Sequence, residues 1–262
     1  LVASLRYHVA GQTGHGYNDQ EEFRMTYSII ARCSRTGQLG IGVASFSMAI
    51  GRYCDGAVRS GIGVTQTQGA PNPRNNYLAI NLLAQGHTAS QALATLIAND
   101  PKSDYRQIAL VDRHDSAVIH AGGKLRPWAG HRIGAGYVAF GDGLAGPQVI
   151  DAMIARFDAT AADDLDERFL AALEAGRDAG GLAGAKGRLP ERSAAVVVWG
   201  NRTHNELDLR TDLHDDAIAE VRRIHADYKP TIAYYDERAR HPRGALTGVE
   251  FAAKLKQRKE VA

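Results

Sequence analysis

The sequence predicts an α+β protein, a four-layer α/β/β/α sandwich, and three observations predict it. The strand-like segments are short, and several alternate apolar with polar residues. The helix-like segments come in pairs with recognisable stops. Along the chain the order runs β-rich, helix pair, β-rich, helix pair, β-pair, helix. Such an order lets each helix pair cover the outer face of one sheet while the two sheets pack on each other.

The pattern begins abruptly. Residues 1 to 24 are polar and Gly-rich without a sustained period, and at Met25 the chain turns to the alternating run Tyr27 to Ala31. TYSIIAR, IGVASFS after the Thr36-Gly37 turn, and GIGVTQTQ follow one another closely, which predicts that these three strands share one antiparallel sheet. YLAINLLAQ ends at Gly86, and Thr88 or Ser90 can cap QALATLIAND, which stops before Pro101. QIALVD, AVIHAG and YVAFG return to β structure. PQVIDAMIARFDA and DERFLAALEAG are helical, SAAVVVWG and NELDLR pair as strands, and DDAIAEVRRIHADY is a last helix. These boundaries divide the chain into an extension over 1–25, a folded domain over 26–228 and a tail over 229–262 with no obvious core of its own.

Composition narrows the function classes. With 262 residues, 44% hydrophobic and 23% charged, the chain is an ordinary globular protein with room for a full core. Lys plus Arg number 31 and Asp plus Glu 29, dispersed rather than in blocks, so neither nucleic acid nor an anionic membrane is expected as partner. Cys33 and Cys54 are too few for a disulfide framework and lie in no metal-ligand spacing, which predicts a reducing, cytoplasmic setting. Arg6, His8 and His15 interrupt any secretory signal, and no apolar run reaches the ~20 residues of a membrane span. There is no HExxH and no GxSxG, and the 10 histidines are scattered, so neither a metal nor an organic cofactor is expected.

MTYSIIARCSRTGQLGIGVAS, GVTQTQGAPNP, PWAGHRIGAGY, LAGPQVIDAM and LEAGRDAGG, in that order, resemble an uncharacterised bacterial family, domain of unknown function family 1028, of the N-terminal nucleophile (Ntn) hydrolase superfamily. The resemblance spans about Met25 to Tyr228. It implies an Ntn-hydrolase-like fold and an amidohydrolase acting on a small molecule, with Thr26 at the start of a strand as nucleophile and its own α-amine as base. The chemistry explains the position. A hydroxyl titrates far above neutrality, whereas an α-amine near ~8 can accept its proton at physiological pH. That amine exists only if residues 1–25 are removed, and Met25-Thr26 reads as a bypassed start codon or a cleavage point. The alternative is a non-catalytic small-molecule-binding or scaffold protein that keeps the fold, in which Thr26 is a strand-start residue favoured by β-branching. Homo-oligomers, dimers by default, are expected in either case.

Other candidates carry two readings each. Ser45 ends a strand, where it could orient the Thr26 amine or bond to backbone. Gln66, or Asn72 in its Pro-flanked loop, could hold an oxyanion, although period 2 puts Thr65 and Thr67 opposite Gln66 and Gln68. Trp128 and His131 could wall a substrate pocket or simply pack. At Asp142 the chain departs from the family pattern, which implies Asn; an ionised carboxylate can only accept hydrogen bonds, which puts an oxyanion role in doubt. Asp178 and Arg188, in the Gly-rich block Glu174 to Arg188, could bind a carboxylate or shape the pocket entrance, or lie in an ordinary loop. Asp163, Asp164, Asp166 and Glu167 are a helix N-terminal charge cluster.

Overall fold

The computed structural model describes residues 25–200 and 206–261. The expected extension over 1–25 therefore lies outside the described residues except for Met25, and so does Asn205 at the start of the segment NELDLR. The fold is mixed α+β with several sheets.

The larger sheet has six strands, all antiparallel to their neighbours. β1 (Thr26–Arg32) lies at its centre between β2 (Leu39–Ser45) and β8 (Tyr137–Asp142). β11 (Ser193–Trp199) and β12 (Leu207–Thr211) extend it beyond β2, and β7 (Gly130–Gly134) beyond β8. The smaller sheet has four, in the order β3 (Val58–Arg59), β4 (Gly63–Gly69), β5 (Arg106–Asp112) and β6 (Ala117–Ala121). β9 (Leu182–Gly184) and β10 (Gly187–Leu189) form a separate hairpin. The expectation that GIGVTQTQ shares a sheet with its two predecessors is thus wrong. After β2 the chain makes a tight turn at Ile50–Cys54 and crosses into the smaller sheet, and a short link gave no hint of the crossing. The Glu174 to Arg188 block is not a loop either: it is the end of a helix followed by the β9–β10 hairpin.

The described residues form seven α-helices: α1 (Arg74–Ala84), α2 (Ala89–Asn99), α3 (Pro147–Ala159), α4 (Leu165–Asp178), α5 (Ala217–Tyr228), α6 (Ile232–Arg240) and α7 (Gly248–Val261). Thr88 caps α2 in a reciprocal box with Gln91, and Asp216 caps α5, each satisfying an amide that the helix itself leaves unbonded. The segment expected to be a tail is helical, and Tyr234 of α6 stacks on Phe251 of α7 with ring centroids 4.0 Å apart.

Three apolar clusters hold the elements together. Tyr27, Ile29, Val149, Met153, Phe169 and Ile218 join one face of the larger sheet to α3, α4 and α5. Ile30, Ile41, Val43, Val64, Val111 and Phe140 fill the space between the two sheets. Ile80, Leu96, Ile108 and Leu110 join the smaller sheet to α1 and α2. The glycines of LGIGVAS have a packing reason. A Cβ at Gly40 would stand 2.7 Å from the Phe169 ring, so the bare strand lets α4 lie close against β2.

Candidate active site

Strand register collects polar side chains at one end of the larger sheet. Ile30, Val43, Phe140 and Ala195 face the smaller sheet, so the two-residue period turns Thr26, Ser45, Asp142 and Ser193 the same way. These four are also cross-strand neighbours: Ser193 pairs with Ser45, Ser45 with Thr26, and Thr26 with Asp142. The result is one polar row across four strands, closing a space that is apolar further in.

The protons within the row can be assigned. Ser45 Oγ donates its one hydrogen to Met25 O at 2.8 Å and accepts from the Ser47 amide at 3.0 Å. Thr26 Oγ1 lies 2.9 Å from Ser45 Oγ and must therefore be the donor in that contact. Met25 O also accepts from the Phe46 amide at 3.1 Å. The peptide bond preceding Thr26 is thus held from two sides, and Met25 is buried in the core.

The smaller sheet faces this row with glutamines. Gln68 accepts from Ser28 Oγ at 2.6 Å and donates to Thr26 O at 3.2 Å and to Gln107 at 2.8 Å. Gln107 in turn donates to Gly130 O and Gly141 O. This chain of bonds ties both sheets to the Thr26 backbone. Gln66 lies on the same face, fully buried, and neither its oxygen nor its nitrogen has a partner. Thr26 is only 4% exposed, yet it borders a cleft of about 630 Å³ lined also by Met48, Tyr53, Thr67, Gln68 and Arg106. Gly69, at φ +81°, ends β4 beside the cleft, where a Cβ would stand 2.7 Å from Tyr105 O.

Asp142 is 2% exposed and its Oδ1 has no partner. Burial pushes its carboxyl up to about 8 against the pull of Arg126, so at neutral pH it is mostly protonated and able to donate. The objection that a carboxylate can only accept therefore does not apply to this environment.

The remaining expected site residues lie elsewhere. Asn72 is engaged at the start of α1, accepting from the Arg74 amide and donating to Asn75 at 3.3 Å each, and is not among the residues lining the cleft. The Trp128 ring lies over Gly130, where a Cβ would be 2.2 Å from it, and packs against the cluster beneath α3 and α4. His131 is on β7, its imidazole pushed down by burial and then by Arg132. Asp178 and Arg188 do come together, but at a second cleft with Arg177, Glu191 and Asp216. Arg106 was not anticipated. The one available signal was an arginine opening a strand just after the Asp100-Pro101 helix stop. Among the described residues, no group of three or more His, Cys, Asp or Glu side chains is arranged to hold a metal ion, and no helix is long and apolar enough to cross a membrane.

A family model described as "Family of unknown function (DUF1028)" matches residues 26–221. Among solved structures, the crystal structure of protein SPO2555 from Silicibacter pomeroyi, titled family-model DUF1028, is similar at 28% identity with a TM-score of 0.69, covering 78% of this chain and 86% of that one. No curated protein matches.

Proposed function

We propose, from the premise that the chain belongs to the family of unknown function DUF1028, that it is an amidohydrolase of the N-terminal nucleophile type acting on a small-molecule amide. The three apolar clusters in series support the architecture this requires: helices α3 to α5, the larger sheet, the smaller sheet, and helices α1 and α2, as a four-layer α/β/β/α sandwich of Ntn-hydrolase type. The observation that carries the function is the position of Thr26. It heads the central strand, hydrogen-bonds Ser45 and borders the cleft.

The active form in this reading begins at Thr26. Loss of Met25 removes the carbonyl to which Ser45 Oγ donates, so the Ser45 hydroxyl is free to orient the new α-amine. That amine takes the Thr26 Oγ1 proton as the oxygen attacks the substrate carbonyl. It then returns the proton to the departing amine, and water releases the acyl group from Thr26. A protonated Asp142 or the unpartnered Gln66 amide supplies the donor for the oxyanion. Cytoplasmic location and a homo-oligomeric state belong to the same proposal; Cys33 and Cys54 are unpaired and buried.

One observation favours a second reading, a binding or scaffold protein. Met25 is buried in the core, where a Cβ at Gly143 would strike its side chain, and the Thr26 nitrogen is a peptide nitrogen. Intact mass and N-terminal sequencing of protein from the native gene separate the two. A chain beginning at Thr26 is expected, with amide turnover falling at least ~10³-fold in Thr26→Ala. A functional form that keeps Met25, or unchanged turnover in the variant, defeats the free-amine mechanism.

A further inference from the structure

Arg106 is the one charged residue among those lining the Thr26 cleft. Its side chain is 11% exposed, and its Nε and Nη2 bond the two oxygens of Asp100 at 2.7 and 3.3 Å. A guanidinium carries five N–H donors, so three are unspent on a nearly buried cation. Asp100 itself is saturated, accepting also from Asn75 Nδ2 at 2.9 Å and the Lys102 amide at 3.0 Å. The ion pair therefore fixes one edge of the guanidinium, and among the described residues no other acceptor bonds the opposite edge. No Arg106 nitrogen is among the buried atoms without a partner, so the remaining N–H groups are open at the cleft, where a ligand that supplies charged acceptors can replace water.

The neighbourhood suits an acceptor of that kind. In the β4–β5 register Arg106 stands opposite Gly69, which has no side chain to cover it. Thr67, two residues earlier, shares with Arg106 the face of the smaller sheet opposite Gln68 and Gln107; both reach the same cleft, and the Thr67 Oγ1 has no hydrogen-bond partner. A diagonal cross-strand pair of this kind spans roughly 7–8 Å, within reach of an arginine.

We infer that the cleft takes an amide bearing a carboxylate, with Arg106 as the group that reads it and the Thr67 hydroxyl beside it. The inference deepens the proposed function by naming the substrate class, but carboxylate binding needs no turnover. A carboxylate offers the two oxygens that match the guanidinium fork, and the paired Asp100 keeps that fork in one orientation.

The test compares three probes, N-acetylglycine, N-acetylglycinamide and N-acetylglycine methyl ester, by ligand-observed NMR on the full chain and on its Thr26→Ala variant. N-acetylglycine is expected to bind with a Kd of about 1 mM or below, and about tenfold more tightly than either neutral probe. The preference should persist in Thr26→Ala and vanish in the charge-balanced double variant Asp100→Asn/Arg106→Gln, whose fold is checked by circular dichroism. Equal binding of the three probes, no binding of N-acetylglycine, or an unchanged preference in the double variant overturns the inference. A preference retained in Thr26→Ala, with turnover absent from the native protein as well, would sink the catalytic reading and leave the binding site standing.

Discussion

Two polar clusters in this molecule look alike in composition and differ in bookkeeping. At the α4–α5 junction, His225, 2% exposed, contacts Asp166 at 2.6 Å. Lys229 bonds Asp164 and Asp166, and Arg222 pairs with Glu174 and Glu167. Burial alone would raise Asp166, but hydrogen bonds from His225 and Lys229 hold its carboxyl down at about 2. None of these residues is among those with a buried, unpartnered side-chain atom. At the Thr26 end there is less charge and much less satisfaction: Gln66 contributes two unpartnered atoms, Thr67 and Asp142 one each, four of the six among the described residues. A satisfied network fixes the packing of two helices, whereas unspent donors and acceptors beside a cleft are what a substrate needs.

The largest expected effect that sharpens this contrast is on stability, at the satisfied end. His225→Ala leaves Asp166 with Lys229 alone and opens a hole between α4 and α5, and should cost about 3 kcal/mol in denaturant unfolding. Ligand binding and turnover at Thr26 should be unchanged. Thr26→Ala should behave the opposite way, losing function while its melting point stays close to that of the parent. If His225→Ala also abolished binding in a protein that remained folded, the division between a structural and a functional cluster would be wrong.

Much of this division was legible in advance, for definite reasons. Thr26 and Ser45 stood out because strand ends and a Met-Thr junction are local features of the chain. The helix cap at Thr88 was legible for the same reason. What the sequence hid were the long-range pairings. Nothing local says that β4 leaves the sheet of β1 and β2, and that crossing is what sets Gln68 against Thr26. Likewise Asp178 and Arg188 share a cleft because of the β9–β10 hairpin, while Asn72, close to Gln68 in sequence, is spent on the first turn of α1. Arg106 reads as one dispersed base among many until Asp100 and the cleft are seen together.

A smaller effect tests whether the unsatisfied end holds a proton. The folded value of Asp142 near 8 lies above the ~3.9 of an unfolded aspartate, so between these the folded protein retains a proton that the unfolded chain has released. The stability this contributes is complete below about pH 4 and is lost as pH rises to about 8, by up to about 1.4 kcal/mol per pH unit. Asp142→Asn is neutral throughout. Relative to it, the parent should lose about 2–3 kcal/mol between pH 5 and pH 7 in urea titrations. Parallel stability profiles for the two proteins would show that Asp142 is ionised in the fold, and would remove it as an oxyanion donor.

The smallest expected effect falls on Ser45, where structure and chemistry share one oxygen. Ser45→Ala removes a donor to Met25 O, which keeps its bond from the Phe46 amide, and an acceptor for the Ser47 amide and the Thr26 hydroxyl. The exposed neighbourhood of Ser47 allows water to replace part of what is lost, so the unfolding free energy should fall by only about 1 kcal/mol. A filler of backbone valences would have no further consequence. A hydroxyl that orients the α-amine would, because the amine would lose its partner at the moment Met25 is gone. In protein beginning at Thr26, Ser45→Ala should therefore lower turnover about 10- to 100-fold and shift the acid limb of the pH profile, with KM little changed and Ser45→Thr restoring part of the rate. A rate and pH profile equal to the parent's would return Ser45 to the satisfied, structural class represented by the α4–α5 junction.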